Sequence, residues 1–171
     1  TQQAPGDDTL SIQTIAPQTW LYLCRHQHLF EQRKSSIYRR RPDFAIFGIG
    51  KYSFAPYKVA IAGLSKELAF RKVTTLDKPV VFDDTACFLP ASSEHQVDLF
   101  LTLLNSRAGQ EFLSSLIFWD SKRPITVDVL EALNLTTLAD EVGLGKEIGD
   151  IGTYELECLA ERSPRQGILF G

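Results

Sequence analysis

The chain has 171 residues, of which 44% are hydrophobic and 23% are charged. This length and balance are typical of a single globular domain with one core. No apolar run approaches the roughly 20 residues that cross a bilayer, and the polar opening is unlike a signal peptide, which favours a cytoplasmic protein. The chain contains no methionine, even at its start, and we expect it to be a fragment of something longer.

The formal net charge of −3 conceals an uneven distribution of charge. Residues 25–72 hold eleven Lys and Arg against three Asp and Glu, a net charge of +8. Residues 73–171 hold seven basic residues against sixteen acidic ones, a net charge of −9. A basic segment in an acidic chain indicates a local face that binds a polyanion. The alternative is a solvated face whose cations have dispersed partners.

The beginning of the chain is predicted to be a linker followed by a helix. Residues 1–16 are polar and without periodicity, and they are predicted to form a linker or leader. Pro17 opens a run of helically spaced apolar residues that is expected to end near Ser35. Arg25, Arg33 and Lys34 lie in the second half of this helix, where cations suit the helix dipole.

Four short β-like runs follow, over residues 44–49, 57–61, 67–73 and 79–89. Their order predicts a small antiparallel or mixed sheet. The connector over residues 51–56 is expected to form the tip of a rigid hairpin between the first two strands. Gly48 and Gly50 suit a tight turn or a close backbone approach.

A long amphipathic helix is predicted over residues 95–118, capped by Ser92 or Ser93 and interrupted near 105–109. Its apolar stripe is expected to pack on the sheet. The members of the stripe are Val97, Phe100, Leu101, Leu104, Ala108, Phe112, Leu116 and Ile117. Helices over 127–133 and 135–142 should follow. The predicted fold is α+β, with one domain over residues 17–142 and a poorly packed tail over 143–171 that holds one short element at 154–160.

The acidic pair Asp83 and Asp84 is a weak candidate for catalysis. Adjacent residues of a strand point to opposite faces, which is poor geometry for acid–base work or for a metal. We expect one carboxylate to cap a turn together with Thr85 and the other to pair with an arginine.

The cysteines and histidines do not predict a metal site. On a helix, residues two apart are rotated by about 200°, so Cys24, His26 and His28 do not converge. The three cysteines of the chain are widely spaced. They are predicted to be small buried apolar residues in a reducing compartment.

Four blocks of sequence carry a family resemblance: RKSSIYRRRPDFAIFGIGKYSFAPYKVAIAGL, KPVVFDDTACFLP, LLNS and FLSSLIFWDSKRPIT. The region that contains them, about residues 20–135, resembles the target-recognition region of adenine-specific DNA methyltransferases of bacterial restriction–modification systems. The resemblance implies a sequence-specific recognition domain that docks double-stranded DNA for a methyltransferase catalytic domain of the same parent chain or complex. That partner domain would use S-adenosylmethionine to methylate N6 of a flipped adenine.

The chain itself is not expected to catalyse methyl transfer. Catalytic domains of that family carry an Asn/Asp-Pro-Pro-aromatic motif, whereas neither Asn105 nor Asn134 precedes a proline. The FGIG run at residues 47–50 mimics a glycine-rich cofactor loop, but a turn and a strand, not a helix, are predicted after it. We therefore predict no catalytic, cofactor-binding or metal-binding residues.

The charge pattern and the resemblance together predict a DNA-binding surface. The arginines before Pro42, in an extended segment, are expected to contact phosphates, and residues 51–53 at the hairpin tip are expected to lie near base edges. The candidate DNA-binding residues are Arg33, Lys34, Arg39, Arg40, Arg41, Lys51, Tyr52, Ser53, Lys58, Lys122 and Arg123. Two alternatives stay open: a protein-interaction module of a restriction complex, and a metal-dependent nuclease.

Overall fold

The computed structural model describes residues 6–34, 36–46, 48–83 and 85–149. The chain divides into two compact units, Thr1–Tyr52 and Ser53–Gly171. Within the described residues, a three-stranded antiparallel sheet and several helices form an α+β fold, which confirms the predicted fold class. None of the helices described is long and apolar enough to cross a membrane.

The first unit begins with three short helices, α1 (Ser11–Ile15), α2 (Pro17–Arg25) and α3 (Gln27–Glu31). Pro17 occupies the first turn of α2, where its missing N–H leaves no hydrogen bond unmade. The helix predicted to start there is thus divided at His26, and α1 lies inside the predicted linker. Two short 3-10 helices follow, Ser36–Tyr38 and Lys51–Phe54.

Aromatic rings form the interior of the first unit. The ring of Phe44 packs edge-on against the rings of Trp20 and Phe30, with centroids 5.4 and 5.1 Å away. Phe44 reaches this position with a φ of +63°, which is incompatible with a strand. The prediction of a strand over residues 44–49 was therefore wrong for the residues described there. Phe47 lies outside the described residues.

The sheet lies in the second unit and has the strand order β2-β1-β3. Its strands are β1 (Tyr57–Ala62), β2 (Arg71–Thr74) and β3 (Ala86–Ala91). Val59 in the central strand lies opposite Lys72 on one side and Leu89 on the other. Three of the four predicted strands are confirmed in outline, although β2 and β3 begin later than predicted. Among the described residues no strand precedes β1, and residues 51–54 form a 3-10 helix, so the predicted hairpin around residues 51–56 was wrong.

Two helices replace the predicted long one, α4 (Glu94–Leu104) and α5 (Arg107–Leu116). The break falls where an interruption was predicted. The hydroxyl of Ser93 accepts a hydrogen bond from the N–H of Gln96, and the hydroxyl of Ser106 accepts one from Gly109. Each helix thus begins with its own serine cap.

The second cap changes which side chains of α5 face the core. Leu104 is buried as predicted, but Phe112 and Leu116 are 41% and 45% exposed, so their placement in the core was wrong. Leu113 is fully buried instead. The apolar stripe was predicted for one continuous helix. The break at residues 105–106 changes which residues of the second helix face the core, so the spacing no longer carries over from α4 to α5.

Three short helices complete the described chain: α6 (Val127–Glu131), α7 (Leu135–Glu141) and α8 (Gly145–Gly149). Thr126 and Asn134 cap the first two, which confirms the helices predicted there. Ile148 of α8 is buried in the core cluster, so the start of the predicted tail is packed. The element predicted at residues 154–160 lies outside the described residues.

Candidate nucleic-acid interface

Three consecutive arginines of the first unit, which we call the arginine turn (residues 39–41), are all exposed. The N–H of Arg39 bonds the carbonyl of Ser36 at 3.1 Å, and the N–H of Arg41 bonds that of Tyr38 at 3.2 Å. Arg40 has a φ of +63°. The segment is therefore a tight turn, and the prediction of an extended track was wrong. None of the ion pairs found in the described part of the chain involves these arginines.

Arg33 lies in a different environment from the arginine turn. Its guanidinium carbon lies 4.2 Å from the ring centroid of Phe30 and 4.3 Å from that of Tyr38. Its Nη1 donates a hydrogen bond of 2.6 Å to the carbonyl of Ala45. The side chain is half-buried, whereas its neighbour Lys34 is exposed. Much of this guanidinium is thus engaged inside the first unit.

The loop of residues 48–52 folds back on itself. The hydroxyl of Tyr52 donates to the carbonyl of Gly48 at 3.0 Å, and Gly48 has a φ of +77°. A Cβ added at Gly50 would lie 2.4 Å from Cε1 of Tyr52. The glycines thus serve a turn and a close approach, as predicted. Lys51 is exposed, but Ser53 is only 3% exposed, which argues against its predicted place near a base edge.

Lys58 is buried in the central strand and is only 1% exposed. Its ammonium donates to the carbonyl of Ala55 at 2.6 Å and lies 5.7 Å from the ring centroid of Phe88. This burial lowers the pKa of the ammonium group. Such a placement argues against the predicted role of Lys58 in binding DNA. The alternation of polar and apolar residues along the strand could not predict the burial of Lys58, because side chains on both faces of β1 are buried.

We expect Lys58→Met to leave the free energy of unfolding unchanged or to raise it, because a buried ammonium loses its hydration. The folded pKa lies below the ordinary 10.5, so between those two values the unfolded chain binds more protons. The wild-type chain should therefore gain stability relative to the variant as pH rises through that window. Urea unfolding at several pH values measures both effects. A large destabilisation at neutral pH would contradict the expectation.

The second unit has its own basic corner, which includes Lys122 and Arg123. Both are exposed, in the segment that leads to α6. Lys66 anchors this segment: its ammonium donates to the carbonyls of Trp119 and Ser121, each at 2.6 Å. Nothing in the local sequence singles out Lys66, because the contact joins residues more than fifty positions apart.

The corner also includes the turn that precedes β3. A carboxylate oxygen of Asp83 accepts hydrogen bonds from the backbone N–H and the hydroxyl of Thr85, at 2.9 and 2.5 Å. These two bonds, with a smaller contribution from the charge of Arg123, hold the pKa of Asp83 below its usual value. The predicted aspartate cap is thus confirmed for Asp83, and Asp84 lies outside the described residues.

Gly63 lies close to the backbone of two segments of the basic corner. The N–H of Gly63, just after β1, donates to the carbonyl of Thr85 at 2.8 Å. A Cβ added at Gly63 would lie 3.1 Å from the carbonyl oxygen of Ile125 and 3.2 Å from that of Thr85. The end of the central strand, the Asp83 turn and the segment with Lys122 and Arg123 therefore converge.

The cysteines differ from one another in exposure. Cys24 is exposed, so its predicted burial was wrong, while Cys87 is half-buried and burial raises the pKa of its thiol. Cys158 lies outside the described residues. Among the residues that the structure describes, no group of three or more His, Cys, Asp or Glu side chains could hold a metal ion.

Sequence comparison relates the chain to a methyltransferase. Over 140 residues it is 47% identical to the type II methyltransferase M.NspV of Nostoc sp.. The match covers 81% of this chain but only 29% of that protein, so the chain spans less than a third of its relative's length. No protein-family model and no solved structure matches. This similarity confirms the predicted relationship of the chain to a methyltransferase of a restriction–modification system.

Proposed function

We propose that the chain is a recognition domain for double-stranded DNA that serves an adenine-specific methyltransferase of a bacterial restriction–modification system. The observation that carries the proposal is the exposed arginine turn, in a chain related to a type II methyltransferase. Adjacent arginines suit phosphate contacts, which position a protein on a duplex without reading its sequence.

Catalysis is assigned to a separate domain in this proposal. That domain would bind S-adenosylmethionine, and the small share of the relative that the chain spans supports this division. Both asparagines of the chain belong to helix ends: Asn105 follows α4, and Asn134 accepts a hydrogen bond from the N–H of Thr137 at 2.9 Å. Such a protein would act in the bacterial cytoplasm, where its DNA is.

The candidate residues divide into groups with different roles. Lys34 and the arginine turn would contact phosphates, and Lys122 with Arg123 would supply a further contact. Lys51, exposed within the loop of residues 48–52, would approach a base edge. Tyr52 would shape that loop, because its hydroxyl and ring are used within it.

The chain produced alone should bind mixed-sequence duplex DNA but neither bind S-adenosylmethionine nor transfer a methyl group. Phosphate binding predicts affinity that falls steeply as salt concentration rises. Fluorescence anisotropy of a labelled duplex measures the salt dependence, and calorimetry measures cofactor binding. A stoichiometric cofactor site of micromolar affinity would contradict the proposed division of labour, and failure to bind duplexes at any salt concentration would contradict the recognition role.

A protein-interaction role has an observation of its own. Several large apolar side chains on or beside the helices of the first unit are exposed. These residues are Leu10, Ile15, Leu21, Tyr22 and Leu29. Such a surface suits a protein partner. Binding to that partner would depend weakly on salt, unlike binding to a polyanion, so the same titration separates the two functions.

A further inference from the structure

We propose that Arg33 is a positioning residue, which holds the arginine turn in its binding shape without itself contacting a phosphate. This inference rests on the proposed DNA-binding function. The sequence places Arg33 in the basic segment of residues 25–72, with most of the other candidate DNA-binding residues. Its surroundings in the folded chain set it apart from them.

The guanidinium of Arg33 contacts two aromatic rings and one backbone carbonyl. Phe30 lies 4.2 Å away and Tyr38 4.3 Å away, measured from the guanidinium carbon to the ring centroids. The Nη1 atom donates to the carbonyl of Ala45 at 2.6 Å. The negative face of each aromatic ring attracts the positive charge of a guanidinium that lies over it.

The groups that hold Arg33 lie on both sides of the arginine turn. Tyr38 immediately precedes the turn, and its carbonyl accepts the N–H of Arg41 at 3.2 Å. Ala45 follows Phe44, whose ring is fixed in the aromatic interior. Arg33 therefore ties together the two ends of residues 39–44, and this constraint limits the shapes that the turn can adopt.

A lysine at position 33 would separate positioning from direct binding. Lysine keeps the positive charge but lacks the planar group with several donors that contacts both rings and the carbonyl of Ala45. If Arg33 bound a phosphate directly, Arg33→Lys would keep the salt dependence of DNA binding. Arg33→Ala would then lower the slope of log K against log salt by roughly 0.9, the value for one phosphate contact. If Arg33 positions the turn, both substitutions should weaken binding, because the neighbouring arginines would no longer be held where they reach the phosphates.

The test is a salt titration of the intact chain with mixed-sequence duplex DNA. We expect Arg33→Lys to lower the slope of log K against log salt by more than the roughly 0.9 of one phosphate, although the net charge is unchanged. We also expect Arg39→Ala to cost less affinity in the Arg33→Lys background than in the wild-type chain, since coupled residues are not additive. Arg25→Lys, the same exchange at an exposed arginine outside the candidate set, is the matched control.

Folding of the first unit is followed separately. Each unit contains one of the two tryptophans, so fluorescence of Trp20 in a Trp119→Phe background reports on the first unit alone. Should Arg33→Lys unfold that unit, Tyr38→Leu decides, because it removes one of the two ring contacts of Arg33 without replacing any charged residue. A smaller slope in Tyr38→Leu than in the wild-type chain supports positioning.

Each remaining outcome has a definite meaning. An unchanged slope in Arg33→Lys, with a decrease of about 0.9 in Arg33→Ala, would overturn the positioning role and leave the proposed function standing. An unchanged slope in folded Tyr38→Leu would also overturn it. If Arg39→Ala and both Arg33 variants bound DNA like the wild-type chain, the proposed DNA-binding surface itself would be wrong.

Discussion

Leu113→Ala should lower the free energy of unfolding of the second unit by about 2–5 kcal/mol, the usual cost of a cavity left by a fully buried leucine. Leu113 has no exposed surface and belongs to the core cluster that also contains Leu103 and Leu138. Urea unfolding followed by Trp119 fluorescence, in a Trp20→Phe background, measures the decrease in this unit.

The adjacent residue provides the matched control. Phe112 is 41% exposed, so Phe112→Ala should cost clearly less than Leu113→Ala although it removes a larger side chain. The two substitutions together test the phase of α5, which the cap at Ser106 sets. A destabilisation by Phe112→Ala equal to or greater than that by Leu113→Ala would mean that the other face of α5 packs against the core.

Local signals predicted much of the second unit correctly. Serine and threonine caps mark helix starts through hydrogen bonds that span three residues, so Ser93 and Thr126 could be recognised in the sequence. The cap at Asn134 was not predicted. The strand β1 is likewise a short apolar run with β-branched residues. These signals need no knowledge of how distant segments meet.

The errors occur where distant parts of the chain decide the structure. Phe44 lies in a run that looks like a strand, but its ring packs against Trp20 and Phe30 and its backbone is left-handed. Lys58 alternates like a surface residue of a strand, but its strand is central and covered on both faces. The spacing of residues along the chain predicts neither the backbone conformation of Phe44 nor the burial of Lys58.

The sequence predicted which types of residue make up the candidate site, but it did not predict the role of each residue. The sequence identified every cation of the basic segment over residues 25–72, because charge can be counted directly. It could not distinguish an arginine that contacts two aromatic rings, such as Arg33, from one that is exposed, such as Arg39. That distinction depends on side-chain packing, and it divides residues that position the surface from residues that would bind DNA.

The combined Arg39→Ala, Arg40→Ala and Arg41→Ala variant should bind duplexes of any sequence much more weakly than the wild-type chain. Three phosphate contacts at roughly 0.9 each predict that the slope of log K against log salt falls by about 2–3. Phosphate contacts carry no sequence information directly, so cognate and unrelated duplexes should weaken alike. Anisotropy titrations at several salt concentrations measure the slope and the affinities together.

Lys51→Ala should have the complementary effect. A good base contact is worth about 1–3 kcal/mol of discrimination, so its removal should narrow the gap between cognate and unrelated duplexes by about that amount. The overall salt slope should change little in comparison with the arginine variant. Cognate sites come from selection of bound sequences out of a random pool with the wild-type protein.

A charge-matched control separates local binding at the arginine turn from a general effect of net charge. Arg25, Lys78 and Lys146 are exposed and lie outside the candidate surface, so replacing all three by alanine removes the same charge. Local phosphate contacts predict a much smaller slope change for this control than for the arginine variant. Equal changes in the two would mean that DNA responds only to net charge. If the arginine variant altered sequence preference while Lys51→Ala changed affinity alone, the roles of the two groups would be reversed.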